Sequence, residues 1–172
     1  GVKHIQTAEA LSTTILDFYI RHVEIHVQEI LAAFALGGDA GMPKEVIASE
    51  LGISFLQLRK VLAKLATGGV IAEVDFTADR LKVRPSAFRH ALIREIFFSG
   101  ASALPYRILD NLLQQIPDLI ETTQELIHVK ARGGNVPDQM LRDYLLKLPT
   151  VSKIWDAYSW LGRSEAIWIL DN

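Results

Sequence analysis

Between Gln6 and Leu36 the chain contains neither Gly nor Pro, and Leu11, Ile15, Phe18, Tyr19, Ile25, Ile30, Leu31 and Phe34 recur at close to helical spacing. The spacing predicts one long helix, or two with a break near His22. Gly37, Gly38, Asp39, Ala40 and Gly41 close it as a loop. Pro43, at a first-turn position, then opens a helix through "KEVIASEL" that Gly52 stops. Ser54 is a natural cap for the next helix, Phe55 to Thr67, which ends at Gly68 and Gly69 and buries Leu58, Leu62 and Leu65.

After Val70 the period falls from 3.6 to 2. "VIAEVDF" and "RLKVRP" read as two short strands, with Thr77, Ala78 and Asp79 as the turn between them. Helix, helix, turn, helix and hairpin in that order is the plan of a winged helix-turn-helix. "SAFRHALIREIFF" predicts a further helix. Beyond it, aliphatic-proline pairs at Leu104-Pro105, Ile116-Pro117, Val136-Pro137 and Leu148-Pro149 each mark a helix start, because proline suits a first turn and holds the preceding residue extended. The expected fold class is mainly α: a winged helix-turn-helix domain with a long N-terminal helix and a small β-hairpin wing over residues 1–98, then an α-helical bundle or array over 99–172. The later segments do not match the aromatic and small-residue template of tetratricopeptide repeats.

Composition narrows the partners. A chain of 172 residues that is 49% hydrophobic can bury about 70% of its unfolded surface, so a substantial core is expected. A net charge of −2 provides no global field for nucleic acid or anionic membrane. The absence of cysteine excludes disulfides and thiolate chemistry. No apolar run is long and uncharged enough to span a bilayer, and no signal-peptide layout opens the chain, so a cytoplasmic protein without a membrane partner is expected. The opening glycine and the lack of an initiating Met suggest a domain taken from a longer protein.

In a DNA-reading helix-turn-helix the first turn of the third helix carries polar side chains that match base edges. With Leu58 and Leu62 buried, the outward residues here are Phe55, Leu56, Gln57, Arg59, Lys60 and Val61, and half of those are apolar. Phe55, Leu56, Arg59, Lys60 and Val61 therefore read as a surface for another protein module. The opposing signal is a local basic tilt. Nine Lys or Arg lie between Lys44 and Glu95 against six acids, and Arg80, Lys82 and Arg84 alternate along one strand and share its face. Those three are the candidate phosphate contacts if the chain binds DNA; solvation of the strand is the plainer reading.

The stretch "FRHALIREIFF", residues 88–98, resembles the motif Phe-x-His-x-x-aliphatic-x-Glu that closes the winged-helix domain of signal-transducing P-loop NTPases: the NACHT class, the bacterial regulators of that superfamily and their plant resistance relatives. Phe88, His90, Ile93 and Glu95 carry the match, directly after the wing. The resemblance implies a winged helix that folds back on a nucleotide-binding domain, with His90 reaching the phosphate end of bound ADP and the region after Ser99 forming a superhelical arm. An imidazole N–H suits that task, since a nearby anion can draw a proton onto a ring of pKa near 6.5. The alternative is a histidine that fills the start of its helix and hydrogen-bonds locally. The chain departs from the family in having no Gly-x-x-x-x-Gly-Lys-[Ser/Thr] loop and no Walker-B run, so it holds no cofactor of its own, and ADP or ATP would belong to a parent protein.

Other chemistry is thin. His22 and His26 share a helix face, but Glu24 points elsewhere and no third ligand follows, so no metal site is expected. His4 and His128 have no partner legible in the sequence. There is no nucleophile elbow, and pairs such as Asp75 with Asp79 lack an acid–base context, so no catalytic residue is assigned. Trp155, Tyr158, Trp160 and Trp168 make the last segment aromatic, suited to a core with one ring at an interface. The function expected is a non-catalytic regulatory fragment of a larger signal-transducing NTPase, partnered by that NTPase domain, other protein domains or itself. The alternative is a winged-helix transcription regulator that binds DNA and dimerises through its helical region.

Overall fold

In a computed structural model the chain is described over residues 25–74, 77–99 and 104–148, the side chains of 25, 26, 77 and 78 excepted. It is mainly helical with one small antiparallel sheet. Helix α1, Ile25–Ala35, is buried nearly all round, with Ile30, Leu31, Ala32, Ala33 and Phe34 essentially inaccessible to solvent. A helix apolar on every side belongs at the centre of a core. A short 3₁₀ turn, Gly38–Ala40, leads into strand β1, Met42–Pro43, and helix α2, Lys44–Leu51.

Gly52 caps α2 at φ 64°, and Ser54 begins helix α3, Phe55–Thr67. Ser54 Oγ accepts from Gln57 N at 3.2 Å while Gln57 Oε1 accepts from Ser54 N at 3.2 Å. That reciprocal capping box satisfies two of the amide groups a helix start leaves open. Leu58, Leu62 and Leu65 are the buried stripe of α3, as their spacing requires. Strands β2, Ile71–Val74, and β3, Thr77–Val83, then pair antiparallel, and the sheet order is β1-β3-β2.

Two details depart from the expectation drawn from sequence. Pro43 does not open α2 from its first turn; it stands one residue before it and pairs with Arg80 in β1. A two-residue strand has no period to detect, which is why the third strand is silent in the sequence. Thr77, Ala78 and Asp79 are not the turn but the first residues of β3: Thr77 pairs directly with Val74, and the register shifts between Glu73 and Val74.

Helix α4, Ser86–Phe97, packs extensively against α1 and buries Phe88, Leu92, Ile93 and Phe97. Helices α5, Tyr106–Gln114, α6, Leu119–Ala131, and α7, Asp138–Leu146, begin just after Pro105, Pro117 and Pro137. Asp118 caps α6 through its side chain, accepting from Ile120 N at 2.9 Å and Glu121 N at 3.2 Å. Helix α5 lies against α2, and α6 lies against both α4 and α7. A contiguous set of buried apolar side chains runs from Ile30 to Tyr144. At about 1.5–3 kcal/mol for each large apolar side chain fully removed from water, it supplies the main stabilisation. The segment before residue 25, the fourth proline-started helix and the aromatic segment with Trp155, Tyr158, Trp160 and Trp168 lie outside the described residues.

Candidate functional site

His90 owes its position to its neighbours. Phe88 and Ile93, both fully buried, anchor α4 in the core, and the helical turn between them brings His90 to the edge of the interface with α6. From α6 come Glu121, Glu125 and His128, spaced four and three apart and so on one face. Glu125 Oε1 lies 2.6 Å from His90 Nδ1. A carboxylate only accepts, so Nδ1 carries the proton and donates, which leaves Nε2 as the ring's other polar atom. The bond joins residues 35 apart. His90 is therefore not bonded only within its own helix start, as the local alternative supposes.

The His128 ring stacks on His90, with centroids 5.3 Å apart and planes inclined by 27°. Burial holds the His128 pKa below the ordinary imidazole value; His90 and Arg132 push it the same way, and Glu125 opposes them. Sequence alone identified no partner for His128, because the contact depends on how α6 docks.

The glycine-rich loop completes the site. Asp39 N donates to Glu121 Oε1 at 2.9 Å, and Asp39 Oδ1 accepts from Arg89 Nη2 at 3.0 Å. Arg89, 6% exposed, also donates through Nη1 to Val83 O at 2.9 Å, while its buried Nε has no hydrogen-bond partner among the described residues. These groups line a cleft of about 390 Å³ that also includes Asp118 and Gln124. Four carboxylates face one guanidinium and two imidazoles there. An anion entering this arrangement meets like charge, and every one of those carboxylates already accepts a hydrogen bond.

The remaining candidates separate. Phe55 is 50% and Leu56 64% exposed, and Arg59 and Lys60 beside them are exposed as well. Val61 is not part of that outward surface: it is half-buried and packs against the core. On β3, Arg80 is turned inward, donating from Nε to Ala40 O at 3.0 Å and from Nη2 to Gly41 O at 2.9 Å. Lys82 is half-buried and Arg84 exposed. Alternation places 80, 82 and 84 on one face, yet Arg80 is committed to the loop carbonyls, so the three do not form a continuous cationic ridge. Glu95, the last residue of the motif, is partly exposed with Oε1 at 3.4 Å from Arg94 Nε.

His22 and the side chain of His26 lie outside the described residues. Among the described residues no group of three or more His, Asp and Glu is arranged to hold a metal, and no helix is long and apolar enough to cross a membrane. Sequence reasoning missed Asp39, Arg89, Glu121 and Glu125. The one available signal was the polar stripe Glu121, Glu125, His128 on a helix whose Leu126 and Ile127 are buried. No family model, characterised protein or solved structure matches this chain.

Proposed function

We propose that this chain is a non-catalytic regulatory and interaction fragment of a larger signal-transducing NTPase. In this reading residues 1–98 form a winged helix that packs on the NTPase domain and controls its nucleotide state, and residues 99–172 form the helical arm that receives the signal. The observation that carries the reading is the exposed first turn of α3. Phe55 and Leu56 stand in solvent at the position where a base-reading helix places polar groups, and isolated apolar pairs at a helix tip suit a protein partner. The placement of Phe88, His90, Ile93 and Glu95 directly after the hairpin supports it from the sequence side.

His90 would meet the phosphate end of ADP bound by the parent, which supplies the nucleotide. With Nδ1 donated to Glu125, only Nε2 is free to approach, and it donates to phosphate only as the imidazolium. The carboxylates on α6 oppose that approach, so His90 engages nucleotide when α6 moves away from it. Replacing His90 with Ala in the full-length parent should shorten ADP retention and raise basal ATP turnover. Unchanged values would remove the sensor role.

A DNA-binding regulator is the second reading, favoured by one observation: α3 exposes Arg59, Lys60 and Lys64 and contains no acid. Salt-titrated binding of the chain to random and selected duplexes separates the two. Micromolar or tighter affinity that falls steeply with salt supports DNA binding; its absence supports the protein-docking reading.

A further inference from the structure

A second cleft, about 330 Å³ in volume, opens between α5 and α7 and shares no lining residue with the one around His90. Tyr106 and Asp110 line it from α5, four positions apart and so on one face of that helix. Asp143, Tyr144 and Lys147 line it from α7 and its cap. Tyr144 is only 7% exposed, yet among the described residues its hydroxyl has no hydrogen-bond partner. Tyr106 is 49% exposed, and neither its hydroxyl nor the Asp110 carboxylate is hydrogen-bonded or ion-paired among the described residues.

These groups select the charge of what enters. An anion meets two carboxylates, Asp110 and Asp143, against the single ammonium of Lys147. A wholly apolar group leaves two phenols and a carboxylate without partners, which costs free energy for each group it desolvates. A cation suits both the carboxylates and the rings. The protein supplies its own example: Lys147 Nζ lies over the Tyr144 ring, 5.1 Å from the centroid, drawn to the negative face of the aromatic. The Tyr106 ring has no such cation among the described residues, and Asp110 stands one turn further along the same face. Burial first, and the Asp110 carboxylate second, hold both phenols above their ordinary pKa of 10, so each is a neutral hydroxyl at neutral pH that both donates and accepts.

From this juxtaposition we infer that the α5–α7 cleft receives an arginine side chain of a partner protein, its guanidinium stacked on the Tyr106 ring and donating to the Asp110 carboxylate. Arginine suits the site better than lysine because its planar, weakly hydrated fork stacks on a ring and donates in the same plane, leaving further N–H groups for the Tyr144 hydroxyl. The volume lies at the bottom of the range of about 300–1,000 Å³ usual for small-molecule sites, which fits one side chain better than a larger ligand. The assignment holds whether or not α3 docks on an NTPase domain.

Titration of the isotope-labelled chain with the peptide acetyl-Gly-Arg-Gly-amide, followed by amide chemical shifts at constant ionic strength and neutral pH, tests this. The expected result is a saturable change confined to amides of α5 and α7 around Tyr106, Asp110 and Tyr144, with a dissociation constant of about 1 mM or tighter that weakens as salt is added. Asp110→Asn and Tyr106→Leu, both at exposed positions, should each weaken binding at least about threefold while leaving the α1 amides where they are. The same peptide with citrulline in place of arginine keeps the shape without the charge and should bind at least about threefold more weakly. Absence of a saturable change up to about 10 mM peptide, equal binding of the citrulline or lysine peptide, or unchanged affinity in both variants would overturn the assignment.

Discussion

Arg89 joins two parts of the fold by donating to Val83 O at 2.9 Å and to Asp39 Oδ1 at 3.0 Å, and the two bonds differ in worth. The Asp39 side chain is 79% exposed, so its ion pair is screened and contributes at most about 1 kcal/mol. Losing the buried arginine instead strands the Val83 carbonyl, at a cost of about 1–3 kcal/mol. Asp39→Asn should therefore change urea-unfolding stability little, whereas Arg89→Met should lower it by about 2 kcal/mol.

The glycine loop sets up a second comparison. A Cβ on Gly38, at φ +57°, would lie 1.9 Å from Glu121 Oε1; on Gly41, at φ +72°, it would lie 2.6 Å from Val74 Cγ2 and 2.8 Å from the Leu81 carbonyl oxygen. Both alanines bear a positive-φ cost, and Gly41, at φ 72° and ψ 177°, lies in a region that is essentially confined to glycine. The Glu121 carboxylate is the end of a flexible side chain and can swing aside, losing its bond from Asp39 N, but the Leu81 backbone cannot. Gly41→Ala should destabilise more than Gly38→Ala in thermal melts. Adding Glu121→Ala should relieve part of the Gly38→Ala defect and none of the Gly41→Ala defect.

Arg80 and Arg84 share a strand face and should behave differently. Arg80→Ala removes two donors from the Ala40 and Gly41 carbonyls and should cost about 1–2 kcal/mol. Arg84→Ala, at an exposed position, should stay within about 0.5 kcal/mol of the parent. Chemical denaturation of the two variants under one buffer condition checks the order.

At the tip of α3, Ser54→Ala should cost about 1 kcal/mol by removing the cap, with the helix otherwise intact. Leu56→Ser, at a 64% exposed position, should leave stability nearly unchanged, and Phe55→Ser, at a 50% exposed one, should cost no more than about 1 kcal/mol. If the tip docks on an NTPase domain, the same two changes should weaken that association at least tenfold in a pull-down or calorimetric titration with the domain. Equal affinity with and without them would show that the tip is not the contact.

How much of this was legible differs from residue to residue. The Ser54 cap, the stop at Gly52 and the starts after Pro105, Pro117 and Pro137 follow from chemistry confined to one or two turns of chain. The burial of Leu58, Leu62 and Leu65 and the exposure of Phe55 and Leu56 follow from a single helical period. The same reasoning placed Val61 on the outer surface because it ranked residues by face alone, whereas neighbouring elements reach far enough round α3 to half-cover it. Arg80 reads in the sequence as a possible phosphate contact, and Arg89 as no more than one of the local basic residues, because charge by itself says nothing about which backbone carbonyls will come within reach.

Hydrophobic period, caps and prolines determined the helices, the hairpin and the side each one turns to the core, since those depend on interactions between residues a few positions apart. Tertiary packing alone decided that α6 would settle on α4, and so put Glu125 and His128 against His90 and Glu121 against the loop. The contacts that made that choice join residues 35 to 82 positions apart. Their formation depends on the summed fit of buried surfaces, a quantity no local spacing encodes.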